Sequence, residues 1–127
     1  LQNKFLIDRS LKTYHINTSD IILNDYKIFL EDIVKGNLNR KDIASKFKSF
    51  TIRFTSLDKM NDKRFKTVVK LQPANREIQT LITSSAEYNN SRSNSKVSLS
   101  NITISRLSIL NSKLLELNGD LIYILNK

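Results

Sequence analysis

An antiparallel bundle of about four helices is the mainly α fold class that this chain predicts, on three observations. Ile43, Phe47, Phe50, Phe54 and Leu57 recur at spacings of four and three residues. Leu107, Leu110, Leu114, Leu117, Leu121 and Ile124 recur in the same rhythm, and either series makes a single apolar stripe on a 3.6-residue helix. Helix punctuation separates the periodic stretches: Lys35-Gly36, Asn39 and Gln72-Pro73, with connections short enough to set neighbouring helices antiparallel.

The first helix is expected to start at Thr18, Ser19 or Asp20, whose side-chain oxygens suit the free amides of a first turn. Ile22, Tyr26, Phe29, Leu30 and Ile33 give it an apolar face. Lys35 complements the negative helix end and Gly36 tolerates the left-handed conformation that closes many helices. Asn39 caps the second helix, whose five core positions fall within about 80° of arc. Its phase carries on to Phe65 and Val68, but Asn61 would then face the core. A buried unpaired amide costs about 1–3 kcal/mol, so a kink or short turn at Asn61-Asp62 is preferred to one helix running to Leu71.

Pro73 opens a third helix over residues 74–88, with Ile78, Leu81 and Ile82 inward. Residues 89–98, rich in Asn and Ser, read as a flexible surface loop. A fourth helix begins near Thr103 and carries the leucine series, an a/d seam of about two and a half heptads. Asn118-Gly119 interrupts it, because an interior glycine costs about 1 kcal/mol, and 121–125 then reads as a short strand. Phe50, Ile52 and Phe54 also alternate with polar residues as a strand would. These segments define the alternative, a winged-helix-like α+β arrangement with strands near 50–54, 97–104 and 121–125 and residues 103–118 as recognition helix.

At 127 residues and 39% hydrophobic content, the whole chain, 1–127, fits one helical interaction domain. No apolar run approaches the roughly 18–20 residues of a membrane span. Without cysteine, disulfides, thiolate zinc sites and cysteine nucleophiles are excluded. The chain opens on Leu1 rather than methionine, as an excised piece would. The expected location is intracellular, and the basic charge is compatible with a nuclear one.

Nearly all of the net charge of +9 lies in one stretch. Residues 40–76 hold eleven basic groups against Asp42, Asp58 and Asp62, whereas 1–39 is balanced and 77–127 carries one extra positive charge. Counted from Ile43, Lys41, Lys48, Lys59, Lys63, Lys66 and Lys70 fall about 140–200° round the helix, opposite the core stripe. Lys46, Arg53 and Arg64 flank the core, where their stems cover apolar surface. A stripe of lysines binds phosphates as point charges and lacks the arginine forks or amides that read bases. Ile52 lies within this face, and an exposed isoleucine among lysines also suits an acidic protein or an anionic membrane.

Chemistry is harder to assemble. His15 is the single imidazole, and a triad or His-based zinc site needs several convergent groups. Asp58 and Asp62, one turn apart among Lys59, Lys63 and Lys66, read as surface ion pairs, as does Glu31-Asp32 beside Lys35. Two glycines cannot build a phosphate-cradling loop. No enzyme, cofactor, metal or small-molecule substrate is expected. The expected function is a scaffold or interaction module of a larger assembly, its basic face meeting DNA or RNA phosphates non-specifically or an acidic partner. The alternative is a purely protein–protein subunit that self-associates through the seam Leu107, Leu110, Leu114, Leu117, Leu121 and Ile124.

Overall fold

The computed structural model describes the backbone of residues 2–126 and the side chains of 9–61, 63 and 65–126. In chain order the elements are α1 (Gln2–Val34), α2 (Arg40–Met60), a π-turn (Asn61–Phe65), α3 (Gln72–Thr83), the single-turn α4 (Ala86–Asn89) and α5 (Asn101–Leu125). Helix α1 packs on α2, α2 on α3, α3 on α5, and α5 back on α1. Each neighbour pair is antiparallel. Asp25 meets Arg53 while His15 meets Asn61, and Gln79 meets Thr51 while Gln72 meets Asp58. Ser19 likewise meets Asn118, whereas Leu30 and Leu107 share a groove nearer the other end. The fold is a mainly α, four-cornered bundle, and no strand occurs among the described residues.

The core divides into an aromatic end and a polar end. At the aromatic end, Tyr26 meets Phe54 edge-on at 5.3 Å and Phe50 at 4.9 Å, while Phe29 stacks on Phe50 at 5.4 Å. Edge-to-face and offset pairs at such distances add about 0.5–1.5 kcal/mol beyond area burial. The Tyr26 hydroxyl is buried there without a hydrogen-bond partner, and burial pushes its ionisation well above the usual phenol range. A buried unpaired hydroxyl is a net cost, so Tyr26→Phe is expected to stabilise the fold by on the order of 1 kcal/mol. Urea unfolding reads this directly, and a loss of stability in the variant would contradict it.

Several boundaries differ from the sequence expectation. Helix α1 begins at Gln2, not at Thr18–Asp20, because those hydroxyls are used inside the helix. Thr18 Oγ1 donates to the Tyr14 carbonyl (2.8 Å) and buried Ser19 donates to Asn118 Oδ1. The second helix ends at Met60, and Lys66 (φ 51°) turns the chain back towards α3. The expected third helix splits at Ser84–Ser85, where extended Ser85 accepts from the Tyr88 amide and starts α4.

The stretch expected as a surface loop, 89–98, is not all loop or surface: Asn89 closes α4 and Val97 lies in the core. Val97 and Leu99 are buried, and the Val97 amide donates to the Leu38 carbonyl (2.9 Å) beside an isolated Asn39–Lys96 bridge. Helix α5 starts at Asn101 behind the Ser100 cap and runs through Gly119 to Leu125, so 121–125 is not a strand. Gly119 lies on the outer side, with nothing within 4 Å of the position a Cβ would take. The alternating 50–54 segment is interior to α2. The winged-helix alternative therefore has none of its three strands.

Candidate polyanion-binding face

The basic face is presented by α2, whose start is set by Asn39, its Oδ1 accepting from the Asp42 amide (2.8 Å). Ile43, Phe47, Phe50, Phe54 and Leu57 are buried on one side of this helix. Lys41, Lys48 and Lys59 are exposed on the opposite side, spread over about 27 Å at 1.5 Å per residue. Exposed Lys63 follows on the π-turn. Lys66 and Lys70 leave the stripe: Lys66 is exposed at the left-handed residue where the chain departs from helix, and half-buried Lys70 takes part in an interaction within the fold.

Of the flanking groups, Arg53 pairs with Asp25 (2.8 Å) and lies over the Phe50 ring (5.3 Å), tying α1 to α2. Lys46 is exposed, and the side chains of Arg64 and Asp62 lie outside the described ones.

The leucine seam is spent within the bundle. Leu107, Leu114 and Leu121 are buried against α1 and α3, while Leu110, Leu117 and Ile124 are half-buried beside them. A second chain could reach the three central leucines only by displacing a helix of the first.

The polar end of the core holds His15, Asn61 and Asp58, all buried. His15, fully buried, presents Nε2 to Asn61 Oδ1 and Nδ1 to Met60 Sδ (2.9 Å), with the Phe65 ring 5.0 Å away. Asn61 Nδ2 donates to the Val69 carbonyl (2.9 Å). That bond leaves Oδ1 as the acceptor towards the imidazole, so Nε2 carries the ring proton. Asn61 keeps helical dihedrals and the chain leaves the helix only at Lys66, so the amide does face inward, where it is paired.

Asp58, expected as a surface ion pair, is buried. Its Oδ1 accepts from the Leu71 amide (2.8 Å) and its Oδ2 from the Gln72 amide (2.7 Å), so it caps α3 from a distance. One signal for this cluster stood in the sequence: His15 and Ser19 continue the four-and-three spacing of Ile22, Tyr26 and Phe29.

Burial holds the His15 pKa below its ordinary 6.5, partly opposed by the Asn61 bond and the Asp58 charge. The unfolded chain therefore binds more protons below pH 6.5 than the folded one. The resulting stability is complete above that value and is lost as pH falls towards the lowered folded value. Hydrogen bonds from the Ser100 side chain first, with backbone amides and Thr103, hold Glu87 down to about 2. Its contribution is therefore lost at more acid pH, between 4.5 and about 2. Urea midpoints measured from pH 7.5 to 5.5 are expected to fall for the native chain and to stay flat for His15→Gln, which keeps a donor but does not titrate. Parallel slopes would show that His15 is not the group responsible.

Among the described residues no three His, Asp or Glu side chains gather as a metal-holding group, and no helix is long and apolar enough to cross a membrane. Fold and surface together define a helical bundle with exposed lysines along the outer side of α2. Comparison with protein-family models, curated proteins and solved structures finds no match to any of them.

Proposed function

We propose that this chain is a non-catalytic interaction module of a larger assembly, whose basic face contacts nucleic-acid phosphates or an acidic protein surface. The observation that carries this reading is the exposure of Lys41, Lys48, Lys59 and Lys63 on the side of α2 and its π-turn away from the core. Four exposed ammonium groups, against Asp42 as the one exposed carboxylate among the described residues of α2, act additively on a polyanion and need no base-reading geometry. The single histidine is committed to bonds between α1 and the π-turn, which supports a structural rather than a catalytic role for it.

The test is fluorescence anisotropy with a labelled DNA duplex and with polyglutamate over a salt series. The native chain is expected to bind at low salt, with log affinity for duplex falling against log salt with a slope of about −3 for three to four neutralised phosphates. The variant with Gln at positions 41, 48, 59 and 63 is expected to retain its unfolding midpoint and to flatten the slope to near zero. Absence of binding to both probes at low salt would sink the proposal.

A further inference from the structure

Beside the lysines, the α1/α2 pair leaves an apolar groove. Tyr14, Ile21 and Ile28 repeat every seven residues along the outside of α1 and are 62%, 59% and 52% exposed. Ile52 of α2, 61% exposed, faces the same groove. The Arg53–Asp25 bridge divides this groove into two hollows. One, of about 460 Å³, is lined by Tyr14, Ile21, Ile52 and Met60; the other, of about 310 Å³, by Ile28, Phe29 and Phe50. From Tyr14 to Asp32 the groove runs about 27 Å along α1, the length of an 18-residue helix.

The charge around it differs between the two hollows. Lys48 lies one turn before Ile52 and Lys59 two turns after it, both exposed, with Lys63 beyond and Lys46 beside the second hollow. On the α1 side, the neighbours of Ile21 one turn away are Asn17, Thr18, Asn24 and Asp25. Asp25 is offset by Arg53, whereas Asp32, which accepts from the neutral Asn37 amide (3.4 Å), brings its charge to the second hollow, which it lines together with Lys46. The first hollow therefore has a positive rim, whereas the second, with Asp25 and Asp32 beside Lys46 and Arg53 and exposed Glu31 one turn from Ile28, is balanced.

We infer that the α1/α2 groove is a docking site for an acidic amphipathic helix of a partner protein, a proposal that rests on the polyanion-contacting reading above and names its partner. The seven-residue repeat suits a helical partner, which presents apolar groups at the same interval. The lysine rim selects acidic flanks on that helix. A second copy of this chain fits less well, because a two-fold contact would bring two lysine rims together.

The probe is a labelled peptide of about three heptads, leucine on one face and glutamate on the other, measured by anisotropy against the full chain. Micromolar binding is expected. At least a tenfold loss is expected both in Ile21→Asn/Ile52→Asn and in Lys48→Gln/Lys59→Gln, and the same peptide with lysine in place of glutamate is expected not to bind. All four substituted side chains are exposed, and an unchanged urea midpoint establishes that each variant folds.

Full peptide binding by the isoleucine variant, with loss in the lysine variant, overturns the groove but leaves the polyanion-contacting reading standing. Unchanged binding of both peptide and polyglutamate by the lysine variant overturns both. No peptide binding, together with phosphatidylserine-vesicle binding that the isoleucine variant loses, assigns the face to membrane and overturns the proposal. A native dimer in sedimentation that the isoleucine variant makes monomeric assigns the groove to a second copy and does the same.

Discussion

Asp58→Ala is expected to lower the unfolding free energy by about 3 kcal/mol, reflecting two hydrogen bonds to a charged acceptor. For a domain of this size that is a drop of roughly 10–15 °C in Tm. Helix α3 starts at Gln72-Pro73 with no cap from its own Leu71, and Pro73 has no amide proton. Asp58 supplies the acceptors instead, one oxygen for Leu71 N–H and one for Gln72 N–H. Alanine leaves both donors facing a site that is 6% exposed, and their desolvation is then uncompensated. Asp58→Asn keeps one carbonyl acceptor and is expected to lie between the two. Thermal and urea unfolding measure the effect; a change below about 1 kcal/mol, the worth of one exposed ion pair, would show that the carboxylate is no more than a surface charge.

Asn61→Leu is expected to cost about 2–4 kcal/mol although leucine is close in volume, because it orphans the Val69 carbonyl and the His15 Nε2–H inside the core. The double variant Asn61→Leu with His15→Leu is expected to recover part of that loss, since removing both partners of a buried bond costs less than removing one. The double-mutant cycle is read from urea midpoints. Additivity within about 0.5 kcal/mol would mean that the two side chains are not coupled.

Where apolar periodicity carried the information, the fold was legible. The Ile43-to-Leu57 stripe is buried in the phase that its spacing implies, and in the seam Leu107, Leu114 and Leu121 are buried with Leu110 and Leu117 half-buried beside them, because a helix long enough to present several turns has one face to hide. The Asn39 cap was legible for a similarly local reason: its acceptor reaches an amide three residues on. Polar residues in helical stretches were ambiguous. Thr18 and Ser19 resemble a helix start, since a hydroxyl accepts from a first-turn amide as readily as it donates to the carbonyl four residues back. Asn118-Gly119 resembles a helix end in the same way. The Ser19–Asn118 bond spans 99 residues of sequence, and no local pattern announces it.

The basic face was legible over α2, where one helical phase governs Lys41, Lys48 and Lys59. Past Met60 that phase lapses, because the π-turn adds a residue to each loop and Lys66 adopts positive φ. The exposed stripe Tyr14, Ile21 and Ile28 of α1 is not legible as a unit, since a helix starting at Thr18–Asp20 excludes Tyr14 and leaves only Ile21 and Ile28 on that side.

The sequence by itself determined the helical class, the two apolar stripes, the Asn39 cap and the concentration of charge between Arg40 and Arg76, all properties of neighbours within a few turns. Tertiary structure alone decided that His15, Asn61 and Asp58 are interior and paired, that the leucine seam is closed within the chain, and that α1 and α2 form a groove beside the lysines. Each of these depends on which distant groups meet. In a low-dielectric core a polar side chain is tolerated only where its partner arrives.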